Sequence, residues 1–163
     1  MVRRDYIANN DEIRGDGDIR QMIPEDLDEV FSIETSDPLA PWSKKMFLEE
    51  MRHPLAYCFV MKKKDGPKHP VIGFICFQNV TEESELLKIC VHPDYRQLGI
   101  GKKLMQFYID FGSRRGVRTF HLEVNPSNQP AIHLYHSFSY QRSGMRKKFY
   151  QRNFDALLMR REV

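Results

Sequence analysis

Val91-His92-Pro93-Asp94-Tyr95-Arg96-Gln97-Leu98-Gly99-Ile100-Gly101-Lys102-Lys103-Leu104 runs from an apolar strand through a tight polar turn into an amphipathic helix. The turn carries Arg96-x-x-Gly99-x-Gly101. The first N–H groups of a helix lack internal partners and sit at the positive end of its dipole, so a turn of this kind is a seat for phosphate. Glycine lets the backbone approach the anion closely. The turn predicts a bound diphosphate and hence a cofactor enzyme. Two nucleotide motifs fail here. A P-loop requires Ser or Thr after its Lys, and Lys102 is followed by Lys103; a Rossmann turn requires a third Gly where Leu104 stands.

The chain of 163 residues suits one domain with its own core. Its 41% hydrophobic and 29% charged content is ordinary for a soluble globular protein. No apolar run approaches the roughly 18–20 residues of a membrane span, and the N-terminus has no secretory apolar region, so a cytoplasmic location is expected and no membrane partner. Cys58, Cys76 and Cys90 are odd in number, lack metal-ligand spacing and fall in apolar runs, which reads as buried thiols in a reducing compartment with no metal site. The net charge of +3 is unevenly spread: residues 1–40 hold 11 acidic and 4 basic residues, and residues 41–163 hold 11 acidic and 21 basic. A basic body suits an anionic cofactor; zinc-finger spacing and aromatic RNA-binding motifs are absent, so specific nucleic-acid binding is not expected.

Outward from the turn the chain reads as one mixed α/β unit. Residues 1–17 are polar and form an extension; a single domain covers 18–163. Ile19 to Met22 is a short strand, and Pro24 opens a helix with acidic residues at its positive end. Ser43 caps a second helix, with Trp42 and Phe47 placed as a hydrophobic staple. Strands follow over Ala56–Met61, Val71–Val80 and Glu85–Val91. After the Gly turn, Leu104, Phe107, Tyr108 and Phe111 mark one face of a helix that stops near Gly112. Val117–Val124 alternates, with Phe120, Leu122 and Val124 on one face and Thr119, His121 and Glu123 on the other. Asn128 caps a helix with Pro130 in its first turn. Tyr140–Tyr150 and Phe154–Met159 form a terminal antiparallel pair. The order implies a mixed sheet with helices on both faces.

Several ordered blocks carry a family resemblance. The turn matches the [Arg/Gln]-x-x-Gly-x-[Gly/Ala] diphosphate loop. Ala40-Pro41-Trp42-Ser43, Leu122-Glu123-Val124, Ser127-Asn128, Ala131-Ile132-His133-Leu134-Tyr135, Arg146-Lys147-Lys148-Phe149-Tyr150 and Asp155-Ala156-Leu157-Leu158-Met159 follow in register. From about Asp18 to its end the chain resembles the GCN5-related N-acetyltransferases (GNAT), and within them the ribosomal-protein-alanine N-acetyltransferases (RimI-type). The resemblance implies a central twisted sheet of six to seven strands, acetyl-CoA as cofactor and an amine acceptor. One departure is the usual Leu-Gly-Phe after the Tyr helix, here Phe138-Ser139-Tyr140, where Ser stands in for a C-cap glycine.

The resemblance also assigns roles. Glu123 is the candidate general base, and Tyr135 the candidate general acid for the leaving sulfur; a phenol with reference pKa near 10 keeps its proton at neutral pH. Backbone groups of Ile89, Cys90 and Val91 are expected to hold the pantetheine arm. Arg96, Gln97, Leu98, Gly99, Ile100, Gly101 and Lys102 are expected to seat the diphosphate, and Asn128 to touch the pantetheine. Trp42, Phe149 and Tyr150 are candidates for the acceptor channel. Glu85 is the alternative base and a further acceptor-side residue, with His92 and His121 behind it. The expected acceptor is a protein N-terminus, such as the alanine N-terminus of a ribosomal protein. At neutral pH roughly a tenth of an α-amine is neutral, against well under a thousandth of a lysine. Alternatives are a small-molecule amine (polyamine, aminoglycoside, amino acid) and a non-catalytic acyl-CoA-binding module.

Overall fold

Alternating and continuous apolar runs separated by turn residues build a seven-stranded sheet, and two pairs of amphipathic helices cover its faces. A computed structural model describes residues 17–36, 41–64, 68–150 and 154–163, the side chains of 148–150 and 154 excepted. The strands are β1 (Gly17–Gln21), β2 (Ala56–Lys63), β3 (Val71–Val80), β4 (Glu83–Val91), β5 (Thr119–Val124), β6 (Gln141–Tyr150) and β7 (Phe154–Glu162). The helices are α1 (Leu27–Glu34), α2 (Lys44–Arg52), α3 (Ile100–Ser113) and α4 (Gln129–Ser137). The sheet order is β1-β2-β3-β4-β5-β7-β6, so the mixed α/β GNAT architecture is present. Gly17 already belongs to β1; the rest of the expected N-terminal extension lies outside the described residues.

Local signals act as their chemistry requires. The Ser43 hydroxyl accepts from the Met46 N–H at 3.2 Å, and the Trp42 and Phe47 rings meet edge-on at 5.2 Å. The Asn128 side chain accepts from the Ala131 N–H at 3.2 Å. Pro24 opens a short 3-10 turn rather than α1 itself, and Asp26 leaves the solvent. Its carboxylate accepts from the Ile23 N–H and from the Arg20 guanidinium at 2.6 and 2.8 Å. At the end of α4, Tyr140 N–H donates to Tyr135 C=O and Ser139 N–H to His136 C=O. This is a Schellman closure with Ser139 at φ 63°, in the left-handed conformation usually left to glycine.

Two cores result. On one face α3 and α4 pack Leu104, Phe107, Tyr108, Phe111 and Tyr135 against Phe59, Phe77, Phe120 and Leu122. Gly112 runs so close to β5 that an added Cβ would sit 2.7 Å from the Phe120 ring. On the other face α1 and α2 pack Val30, Ile33 and Phe47 against Val60, Phe74 and Cys76.

β4 serves both cores because of one extra residue. Cys76 pairs with Lys88 and Phe77 with Leu86, so Leu87 is a bulge. Before it, Ser84 and Leu86 face α3; after it, Lys88 and Cys90 face α1 and α2.

Candidate active site

The parallel pairing of β4 with β5 spans only Glu83↔Thr119 to Leu86↔Leu122. Beyond it the strands part, leaving backbone groups of β4 without a β5 partner and opening a cleft of about 300 Å³. The cleft is lined by Leu87, Lys88 and Ile89 from β4, Glu123, Asn125 and Asn128 from β5 and its loop, and Tyr135 from α4. Strand parity divides these groups. Glu123 and Lys88 lie on the α1–α2 face; Tyr135 belongs to the core on the α3–α4 face. The gap therefore joins the two faces of the sheet.

On the α3–α4 face the turn after β4 leads to the helix. Gln97 and Gly99 have φ 62° and 80°, and Leu98 between them is 63% exposed. Lys103 N–H makes the first helical bond, to Gly99 C=O, so the N–H groups of Ile100, Gly101 and Lys102 have no helical acceptor. A Cβ built on Gly99 would have nothing within 4 Å. This open, donor-rich corner fits a diphosphate. The Arg96 side chain is otherwise engaged: its Nε donates to Val91 C=O at 3.2 Å and its Nη2 to the Ser36 hydroxyl at 3.1 Å. Arg96 thus fastens the turn to β4 and α1, and the backbone offers the donors.

On the α1–α2 face two ion pairs stand at the gap. Glu123 Oε1 lies 2.6 Å from Arg146 Nη2, which reaches over from β6. Burial pushes the Glu123 carboxyl above the usual carboxylate range; Arg146 opposes this and Glu85 adds to it. On the other wall, Lys88 Nζ lies 2.7 Å from Oε1 of the buried Glu34, which also accepts from Trp42 N–H at 3.0 Å. The Lys88 ammonium sits 5.5 Å from the Trp42 ring centroid. Trp42 is half-buried on the α1–α2 face of the gap.

Not every expected residue meets there. Glu85 points to a separate exposed recess with Glu83 and His121, although its charge is felt at Glu123. His92 accepts from the Asp94 N–H in the turn below β4. Cys90 turns its thiol toward Ile33 C=O under α1, away from the gap lining. Phe149 and Tyr150 end β6, with side chains outside the described residues. Four residues had no role in the sequence reading: Arg146, Lys88, Glu34 and Asn125. Asn125 is 8% exposed, and its side-chain oxygen accepts from Ser127 N–H and Oγ at 2.9 and 2.6 Å, shaping the loop into α4. Only Arg146 had a sequence signal, its place in the basic-aromatic block.

A sheet split between parallel strands, a glycine turn seating a helix N-terminus at one end of the split and a carboxylate and phenol lining it define an acyl-transfer enzyme. The chain belongs to the acetyltransferase (GNAT) family, whose model matches residues 27–140. It is an N-acetyltransferase with acetyl-CoA as acyl donor. It is similar to the [ribosomal protein bS18]-alanine N-acetyltransferase of Escherichia coli K12, with 34% identity over 125 residues, 77% of this chain and 81% of that one. The crystal structure of the ribosomal-protein-S18-alanine N-acetyltransferase from Escherichia coli superposes with TM-score 0.78 at 30% identity, covering 90% of this chain and 94% of that one. The fold also matches Arabidopsis thaliana NAA60 in complex with acetyl-CoA, with TM-score 0.79 at 22% identity over 89% of this chain and 97% of that one. Among the described residues no helix is long and apolar enough to cross a membrane.

Proposed function

We propose that the protein acetylates the free α-amine of a protein N-terminus, with Glu123 as general base and Tyr135 as general acid. The observation that carries this reading is the gap through the sheet, with Glu123 on one face and Tyr135 on the other. Acetyl-CoA supplies the thioester carbonyl that an amine attacks. The Gln97–Lys102 turn binds its diphosphate, and the edge of β4 from Ile89 to Val91, beyond its pairing with β5, orients its arm along the split. The amine attacks in its neutral form, and Glu123, pushed toward neutrality by burial, takes the proton its nitrogen loses on forming the amide, directly or through one water. Tyr135 gives its phenol proton to the departing sulfur. Two proton transfers at fixed positions suffice for an α-amine, whose reference pKa near 7.7–8.0 demands little of the base.

The relatives' names favour an alanine N-terminus of a small-subunit ribosomal protein as the acceptor. The test is acetyl-CoA turnover, followed as thiol release, on four acceptors: an alanine-starting peptide, its Nα-blocked lysine-containing counterpart, spermidine and an aminoglycoside. Turnover confined to the free α-amine peptide is expected. Turnover on spermidine or the aminoglycoside alone would replace this reading with that of a metabolite acetyltransferase.

A further inference from the structure

We propose that Arg146 is a positioning residue: its guanidinium, reaching across β7, holds the Glu123 carboxylate ionised and aimed into the gap. This rests on the reading of Glu123 as the base. β5 and β6 are not neighbours; β7 lies between them. Arg146 pairs in register with Ala156, and Glu123 with Leu158. Residues two apart on a strand share a face, so Arg146, Ala156, Leu158 and Glu123 all lie toward α1 and α2. Ala156 has no side chain beyond its Cβ, which leaves a path for the guanidinium over the strand. Nη2 and Oε1 then meet at 2.6 Å.

The pair is asymmetric. The Glu123 side chain is 17% exposed and the Arg146 side chain 55%. An exposed ion pair adds little to stability. A guanidinium on a mostly buried carboxylate does more for the carboxylate's charge than for the fold, since it opposes desolvation where water is scarce. Among the described residues the other groups around Glu123 do not supply this. Glu85 of β4 has the wrong sign. Lys88 of β4, on the opposite wall, is held by Glu34. β7 presents Leu158 opposite Glu123, and its Arg160, two residues further along the same face, is paired with Glu162; α4 brings the Tyr135 phenol, and His121 of the same strand faces Glu83.

The experiment uses the full chain with Arg146→Met and Arg146→Lys. The Glu123 carboxyl is titrated by carbon NMR without acceptor, its signal assigned by its loss in Glu123→Gln. The pH profile of kcat/KM is then measured on the alanine peptide, with acetyl-CoA affinity as a control for the fold. In Arg146→Met the Glu123 titration is expected to move to higher pH. On the acidic side of the profile kcat/KM should fall about tenfold relative to the native enzyme, as for a carboxylate losing a cationic neighbour. The alkaline plateau and acetyl-CoA affinity should stay within a few-fold, and Arg146→Lys should recover most of the acidic-side loss. An unmoved Glu123 titration overturns the proposal. So does an equal loss at every pH together with lost acetyl-CoA affinity, which would make Arg146 structural. If the titration moves while the profile does not, and Glu123→Gln keeps its turnover, the base reading fails and the ion pair remains only electrostatic.

Discussion

Gly99 and Gly116 make a matched pair of perturbations. Gly99 precedes α3 at φ 80° and Gly116 follows it at φ 85°, and a Cβ built on either meets nothing within 4 Å. Alanine at either site therefore causes no clash within the protein, and its cost is confined to the backbone. A left-handed L-residue costs about 1–2 kcal/mol. The narrower unfolded ensemble of alanine returns about 0.4–1 kcal/mol. The net loss is about 1 kcal/mol at each site, or about 2–4 °C in Tm for a chain of this length. The two should differ in acetyl-CoA binding. The space beside Gly99 is the proposed diphosphate corner, and a methyl there pushes an anion off the N–H groups of Ile100 and Gly101. Losing one charge-assisted hydrogen bond, about 1.5–3 kcal/mol, weakens acetyl-CoA by about tenfold or more. The space beside Gly116 opens to solvent at the far end of α3. Thermal melts and isothermal titration of both variants test this. Equal Tm losses with an affinity loss in Gly99→Ala alone are expected; unchanged affinity in Gly99→Ala, or equal losses in both, would refute the placement of the diphosphate.

Glu123→Gln should lower turnover at least a hundredfold, by steady-state thiol release, while leaving acetyl-CoA affinity nearly intact. The same variant should melt higher than the native protein at pH 8. Burial raises the folded pKa of Glu123, so its ionised form is a cost to the fold that is fully present above that pKa and is relieved as pH falls through it. The difference in Tm should therefore shrink in melts at acidic pH. Tyr135→Phe should slow turnover with an unchanged circular dichroism spectrum, since the ring keeps its place in the core; undiminished turnover would remove Tyr135 from proton transfer. Ser139→Gly should stabilise by about 1 kcal/mol, read as a Tm rise, by relieving a left-handed non-glycine residue.

Much of this architecture is legible in local chemistry. The β5 alternation, the apolar stripe of α3 and the caps at Ser43 and Asn128 each involve residues within a turn or two of one another, where period and side-chain chemistry are sufficient. The Ser139 departure is legible for the same reason. What escapes the sequence is set across the sheet. The bulge at Leu87 hides in the run Leu86-Leu87-Lys88-Ile89-Cys90-Val91, where apolar residues on both sides erase the alternation that would reveal an extra residue. Lys88 and Glu34 are 54 positions apart, and nothing in either neighbourhood announces the other. The Glu123–Arg146 pair depends on β7 inserting between β5 and β6, a choice of strand order that no local pattern carries. The candidate base and acid were visible by resemblance; the charges that govern the base were not.

The four-pair seam between β4 and β5 divides the described chain into two contiguous pieces, β1 to α3 and β5 to β7. Neither piece owns the cleft: Leu87, Lys88 and Ile89 belong to the first, and Glu123, Asn125 and Tyr135 to the second. The connection between them passes through the exposed residues Ser113 to Gly116. A backbone nick there would cut no strand and remove no cleft residue, yet each fragment would bare half of the α3-side core. Activity after such a nick would report reassociation of the halves, which makes this fold a natural candidate for a split-enzyme reporter whose signal exists only when the two sequences are together.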